Sequence, residues 1–297
     1  MRIGAKVPNS GALPAERGIA AMAAELEDAG FESLWVSDHV VMTERIESRY
    51  PFAADGKVTW ASDTPYLDAM VALAAIAAAT ERAVIGTAVL VLPQRHPVVL
   101  AKQAASVDVI SGGRLALGVG AGWLAEEFEA LNVPFTLRGS RFVEWMELLR
   151  ACWTGAPAAF QGRHYTLPPG VRSVPTPAHH IPLLVGGHSK AAWRRAGEVG
   201  DGWLAHQSAT ALDVEELRAG IALSHDAAVG VGRDPEELWT TLRIIDSATR
   251  TGVVADALAA LADAGVDEVV VDTDWATPGA AAEAFRVLVA ARRNIGR

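Results

Sequence analysis

The sequence alternates along its whole length between short strand-like stretches and longer helix-like stretches. In the strand-like stretches the residues are continuously apolar or apolar at about every second position. In the helix-like stretches apolar residues recur about every 3.6 positions, and Gly or Pro residues separate the two kinds of stretch. Because strict alternation of strand and helix implies a parallel sheet, and about eight such units close on themselves, the sequence predicts a (β/α)8 TIM barrel. The strands are predicted at Arg2–Val7, Ser33–Val36, Val84–Leu92, Leu115–Val119, Ile181–Val185, Gly202–Ala205, Leu238–Ile245 and Glu268–Val271.

Between the strands, the longer period and the Gly and Pro stop signals predict helices. These lie at Pro14–Asp28, Tyr66–Ala79, Pro97–Ile110, Ser140–Trp153, Ser189–Val199, Asp213–Ala228, Val253–Ala264 and Gly279–Arg293, and a short amphipathic piece, Leu124–Leu131, precedes the fourth of them. Three connections are longer than a barrel needs, so we expect insertions after strands two and four and before strand five. We interpret residues 1–297 as a single barrel domain.

An open Rossmann-type sheet is the alternative fold for such a pattern. Its signature is a G-x-G-x-x-G turn after the first strand, and the corresponding turn here, Pro8–Pro14, has no such motif. The closed barrel therefore remains the prediction.

Composition restricts the partners of the chain. The formal net charge is −9 and no basic stripe is visible, which argues against a nucleic-acid partner. The longest apolar run, Ala69–Ala79, is well short of the roughly 20 residues that a membrane span needs. The N-terminus shows no secretory signal, and the single Cys152 suits a reducing compartment. We expect a cytoplasmic protein that acts on a small molecule.

Active sites of such barrels lie at the carboxyl ends of the strands, so the residues there are the candidates for chemistry. Asp38–His39 follows strand two, and an imidazole beside a carboxylate is a natural proton-transfer unit that the carboxylate can orient. The alternative is that Asp38 only caps the loop. Arg95, after strand three, could meet an anion, but a solvated loop position is the favoured interpretation.

Two glycine-containing turns follow strands four and five. Gly118–Trp123 lets backbone approach a ligand closely, although any tight turn has the same composition. Gly186–Ser189 opens a helix, where backbone N–H groups and a Ser hydroxyl suit a phosphate, unless Ser189 is only a helix N-cap. The residues after strands six and eight are assigned to the pocket wall: His206 and Gln207, then Asp272, Thr273, Asp274 and Trp275.

A metal-dependent hydrolase is the obvious rival for a barrel that contains His and carboxylate residues. Strand one ends Lys6–Val7–Pro8 without a His-x-His cluster, and the H-E-x-x-H motif is absent from the sequence. No facing pair of carboxylates suggests a glycosidase. We therefore expect no metal site.

Several blocks of the sequence together resemble the bacterial luciferase-like family. They cover nearly the whole chain in one order: Ser33–His39, Thr80–Val89 with Pro93 and Pro97, Ser111–Trp123, Phe160–Tyr165, Pro182–Gly187 and Gly200–Trp203. The resemblance implies a TIM barrel with insertions that binds FMN or the deazaflavin coenzyme F420. The Asp38–His39 pair resembles the F420-dependent branch.

The resemblance also implies roles for individual residues. Asp38 and His39 would face the deazaflavin ring and the substrate, with His39 as proton donor or acceptor. A bulge, often with a non-proline cis peptide, is implied at Ala88–Val89, behind the ring. The cofactor would be lined or held by Gly120, Ala121, Gly122, Gly186, Gly187, His188 and Ser189. Relatives are often dimers, which implies a homodimer.

Two departures from the family pattern concern the substrate. Sugar-phosphate dehydrogenases of the family place a Glu where this chain has Trp123, and they carry a Lys in the loop that corresponds to Gly202–Thr210, which has none. Trp60, Trp123 and Trp275 favour a more apolar pocket instead.

The sequence thus predicts an oxidoreductase that moves a hydride between F420 and a small organic, fairly apolar substrate, with His39 as general acid or base. One alternative is a monooxygenase that uses reduced FMN and O2, with Met42–Pro65 as a lid that excludes water. A second alternative is a flavin-binding barrel without catalysis.

Overall fold

Eight parallel strands close into the predicted barrel. A computed structural model describes residues 1–51, 53, 55–58 and 60–295. The barrel strands are β1 (Arg2–Lys6), β2 (Ser33–Val36), β3 (Val84–Val91), β4 (Leu115–Gly120), β7 (Leu183–Gly186), β8 (Gly202–Ser208), β9 (Trp239–Ile245) and β10 (Glu268–Val271). Around the barrel they run β1-β10-β9-β8-β7-β4-β3-β2. The predicted fold is confirmed, with strand ends shifted by three residues or fewer.

The helices follow the strands as predicted. They are α1 (Leu13–Arg17), α2 (Ile19–Ala29), α3 (Ala69–Ala79), α4 (Pro97–Ser111), α5 (Ala125–Ala130), α6 (Arg138–Trp153), α7 (Lys190–Glu198), α8 (Val214–Gly230), α9 (Thr251–Asp263) and α10 (Ala280–Arg292). The helix predicted at Pro14–Asp28 is interrupted at Gly18, whose φ of 80° is not helical. The next helix begins at Ala69 because the Asp68 side chain caps it, accepting from the Met70 and Val71 N–H groups.

The three insertions lie where the sequence predicts them. Residues 37–68 separate β2 from α3, and α5 precedes α6 after β4. Before β7, the strands β5 (Phe160–Gln161) and β6 (Thr166–Leu167) form a small antiparallel hairpin outside the barrel. Within the described residues, no helix combines the length and apolarity needed to cross a membrane.

The inside of the barrel is filled by its own apolar layer. This layer contains Trp35, Ala116, Leu184, Leu204 and Val270, all almost completely buried. Because side chains alternate along a strand, residues two positions further towards the carboxyl end also point inward and line the barrel mouth. The interior layer therefore fixes which side chains reach the site.

Candidate functional site

Two groups of side chains stand on different sides of the barrel mouth. The first surrounds His39, beyond β2, and we call its aromatic members, Tyr50, Trp60, Tyr66 and Trp123, the aromatic wall. The second comes from four consecutive strands, β8, β9, β10 and β1, and we call it the polar wall. It consists of Lys6, His206, Arg243 and Asp272.

The His39 ring is held by a carboxylate from another part of the chain. Its Nδ1 donates to Oε2 of Glu127, on α5, over 3.0 Å. The other oxygen of Glu127 accepts from the backbone N–H groups of Val40, over 2.6 Å, and Val41, over 3.3 Å. Burial alone would raise the pKa of Glu127, but hydrogen bonds from His39 and Val40 outweigh it, and the pKa lies below its usual value. An ionised Glu127 therefore fixes both the ring and its loop.

Of the two interpretations that the sequence leaves open for Asp38, orientation of the His39 ring is wrong. The Asp38 side chain is completely buried and accepts from the Val91 N–H over 2.9 Å and from Arg95 over 2.6 Å. Arg95 also donates to Asp68 over 2.9 Å. Arg95 is consequently a mostly buried side chain that joins Asp38 to Asp68, and not the solvated loop residue we expected. Contact between Asp38 and a cofactor stays a prediction, with both carboxylate oxygens already bonded to protein.

The aromatic wall packs closely around the imidazole. The ring centroids of Trp60, Tyr66 and Trp123 lie 6.2, 5.6 and 6.2 Å from that of His39. Tyr50 contacts Trp60 and Trp123, with centroids 5.2 and 5.1 Å away. Two predicted pocket residues, Trp60 and Trp123, thus lie beside the predicted catalytic residue. Sequence reasoning missed Tyr50 and Tyr66, because polar loop segments carry no period that assigns their side chains a direction.

The bulge implied on β3 is present. The strand register shifts between Thr87 and Leu90, and the Ala88–Val89 peptide bond is cis. A Cβ at Gly120 or at Gly186 would lie only 2.7 Å from a Val89 methyl group. These glycines are therefore required by the protein itself, because they make room for Val89.

The protein itself also requires a glycine at position 122, because Gly122 has a φ of 84° and a Cβ there would lie 2.6 Å from the Phe128 ring. Cofactor contacts of Gly120, Ala121, Gly122 and Gly186 stay predictions.

The turn between β7 and α7 is held by several protein contacts. Ser189 is the N-cap of α7, its side chain accepting from the Ala192 N–H over 3.2 Å. The Gly187 carbonyl accepts from the Trp203 indole over 2.8 Å. His188 donates through Nδ1 to Glu216 over 3.1 Å, and its Nε2 accepts from the His206 N–H over 2.9 Å. Cofactor contacts of Gly187, His188 and Ser189 therefore stay predictions.

In the polar wall, Lys6 and His206 lie near Arg243, which forms an ion pair with Asp272. Arg243 is 5% exposed, forms an ion pair with Asp272 and donates to the Ile244 carbonyl over 2.5 Å. Burial, with Arg243 and His188, lowers the pKa of His206 to about 3. His206 is therefore neutral at physiological pH. Of this wall, His206 and Asp272 were predicted from the sequence as pocket-wall residues, Lys6 was noted only as the end of strand one, and Arg243 was missed.

Trp275, the remaining tryptophan predicted for the pocket, contacts Arg17. Arg17 of α1 lies 5.0 Å above its ring and donates to its carbonyl over 3.2 Å. Its role in a substrate pocket stays a prediction. Among the described residues, no group of three or more His, Cys, Asp or Glu side chains could hold a metal ion.

Curated relatives match most of the chain. An uncharacterised protein of Mycobacterium tuberculosis is 34% identical over 250 residues, which cover 84% of this chain and 83% of the relative. An F420-dependent glucose-6-phosphate dehydrogenase of Nakamurella multipartita is 31% identical over 236 residues, 76% of this chain and 62% of the relative. The similarity therefore extends through most of the barrel.

Solved structures share the fold at low sequence identity. An F420-dependent secondary alcohol dehydrogenase, solved with an F420–acetone adduct, superposes with a TM-score of 0.77 at 18% identity and 99% coverage of both chains. The oxygenating constituent of 3,6-diketocamphane monooxygenase of Pseudomonas putida, solved with FMN, gives 0.73 at 14% identity, covering 97% of this chain and 96% of the other. The family model described as luciferase-like monooxygenase matches residues 2–293. The chain belongs to the luciferase-like family of oxidoreductases and monooxygenases.

Proposed function

We propose that this chain transfers a hydride between coenzyme F420 and a small, fairly apolar organic substrate, with His39 as general acid or base. The observation that carries the proposal is the bond between His39 and Glu127 inside the aromatic wall. A proton-transfer residue needs a fixed ring, a neighbour that stabilises its charged form and limited access of water. Glu127 supplies the first two, and the aromatic wall supplies the third.

Proton transfer through His39 follows from its hydrogen bonds. Nδ1 is committed to Glu127, and within the described part of the chain Nε2 bonds no protein group. In the oxidative direction, Nε2 takes the hydroxyl proton of an alcohol as hydride leaves the adjacent carbon. Glu127 then stabilises the imidazolium that forms. In the reductive direction, the same nitrogen returns the proton to the substrate oxygen.

The residues present fit a flavin-like cofactor. Val89 stands against Gly120 and Gly186 and offers an apolar support for a planar ring, near the β2 side that carries His39. The start of α7, after Gly187, offers N–H groups to a phosphate. Bound there, F420 would supply or accept the hydride at C5 of its ring. The orientation of substrate and the movement of the proton remain tasks of the protein.

F420 is favoured over FMN by the Asp38–His39 motif and by the relatives whose printed activity is F420-dependent. An FMN-dependent monooxygenase remains the second candidate. The specific observation in its favour is that two rings from the segment after β2 pack at the site, Tyr50 against Trp123 and Trp60 against His39, as a water-excluding lid would.

A binding titration separates the two candidates. Purified protein is titrated with F420 and with FMN while the fluorescence of each cofactor is followed. Saturable binding of F420 at micromolar concentration, with FMN much weaker, is the expected result. Micromolar binding of FMN without binding of F420 would replace this proposal by the monooxygenase.

A further inference from the structure

Lys6 occupies an unusual position for a lysine. It is the last residue of β1, in register with Trp35 of the interior layer, so its side chain lies inside the barrel mouth. Its Nζ donates to the Val7 carbonyl over 3.1 Å and to the Asn9 side-chain oxygen over 2.9 Å. Both acceptors are neutral, and no ion pair of Lys6 occurs among the described residues. Lys6 therefore lacks a carboxylate of its own.

The groups that face Lys6 leave the amine close to balance between its two protonation states. Arg243 on β9 repels its charge, and Asp272 after β10 attracts it but is already paired with Arg243. On β8, His206 is neutral, and β2 contributes the uncharged Trp35. Burial and Arg243 lower the pKa of Lys6 to about 7. A small change in local charge is then enough to protonate it.

We propose that the substrate carries a carboxylate at one end and that Lys6, inside the barrel mouth beside Arg243, binds this carboxylate. The assignment of this ligand to the substrate rests on the proposed function. The two walls divide the recognition: the aromatic wall contacts the apolar body, which also reaches His39, and Lys6 contacts the charged end. The substrate class is therefore an apolar hydroxy or oxo acid.

Proton uptake follows from linkage. A carboxylate beside Lys6 stabilises the ammonium form and raises its pKa, so the complex holds a proton that the free protein lacks above about pH 7. Each pH unit above that value should weaken carboxylate binding about tenfold, because a growing share of the free protein must first be protonated. An uncharged ligand of equal length should show no such dependence.

Hexanoate and hexanol are matched probes for this test, and neither cofactor nor turnover is needed. Binding is measured by calorimetry at about pH 8 in two buffers of different ionisation enthalpy, which reports proton uptake directly. We expect hexanoate to bind with uptake of close to one proton and hexanol with none. Because the test uses no F420, its failure would leave the hydride-transfer proposal standing, and a failed F420 titration would leave carboxylate binding intact.

Three variants identify the group that takes up the proton. In Lys6→Met, hexanoate binding should weaken at least tenfold and lose its proton uptake, with hexanol unchanged. In Lys6→Arg, hexanoate should still bind but without proton uptake, because the guanidinium is always charged. Lys102→Met, which changes an exposed lysine of α4, is the control and should match wild type. Hexanoate no tighter than hexanol in wild type, or proton uptake that persists in Lys6→Met, would overturn the inference.

Discussion

The two sides of the barrel mouth give their basic side chains different surroundings. Beside the aromatic wall, His39 is hydrogen-bonded to the Glu127 carboxylate and surrounded by aromatic rings. In the polar wall, burial and the neighbouring Arg243 guanidinium lower the pKa values of both His206 and Lys6. Two histidines at the carboxyl ends of barrel strands therefore have different surroundings: Glu127 holds His39, whereas burial and the nearby Arg243 lower the pKa of His206. The position of a residue in the fold identifies it as a candidate for the site. Its burial and the charges beside it then determine its protonation and therefore its chemistry.

The largest expected effect concerns the anchor of the His39 loop. Asp38→Ala removes the buried partner of Arg95 and of the Val91 N–H, and should destabilise the protein by about 3–5 kcal/mol. Urea unfolding measures the loss. Asp68→Ala, which removes the more exposed partner of Arg95, should be clearly milder. Equal stability of Asp38→Ala and wild type would contradict a structural role for Asp38.

A smaller effect of opposite sign is expected in the polar wall. Lys6 has a lower pKa in the folded protein, about 7, than its ordinary 10.5, so folding disfavours its charged form. Lys6→Met should stabilise the protein by roughly 1–2 kcal/mol below pH 7, and the gain should shrink as pH rises towards 10. Thermal unfolding across pH tests this, with Lys102→Met as control. A destabilised Lys6→Met at pH 6 would show that the amine is well accommodated.

The smallest expected effect concerns the carboxylate that holds His39. The pKa of Glu127 lies below its ordinary 4.5, so its ionised form stabilises the fold above that pH. Glu127→Gln should lose on the order of 1 kcal/mol at pH 7, and the difference from wild type should vanish as pH falls through the Glu127 pKa. Glu129→Gln on the exposed side of α5 is the matched control. A difference that stays constant from pH 7 to pH 3 would contradict this account.

The sequence was sufficient for the barrel because strands and helices are coded locally. β2 and β10 begin and end where periodicity and glycine punctuation predict them. The break at Gly18 was not predicted, since one glycine inside a helical pattern does not reveal its φ. Ser189 is the N-cap of α7, one of the two roles that its sequence position allows. An N-cap residue can also contact a phosphate, so the cap does not exclude the second role.

The site was only partly predictable because its decisive contacts join distant parts of the chain. His39 could be found from its strand end, but Glu127 lies 88 residues further on and no local pattern connects the two. Arg95 has the composition of a loop residue, and its burial depends on Asp38 and Asp68 meeting it in space. Lys6 lies at the end of the first predicted strand. Its lowered pKa depends on burial and on Arg243, which belongs to the seventh barrel strand in chain order.

Single-turnover reduction of F420 tests the central claim most directly. Protein loaded with F420 is mixed with the most active alcohol from a panel, and the decay of oxidised F420 is compared for wild type, His39→Asn and His180→Asn, an exposed control. We predict that His39→Asn slows the reduction at least about 100-fold and that His180→Asn matches wild type. A His39→Asn rate within about threefold of wild type would contradict proton transfer by His39.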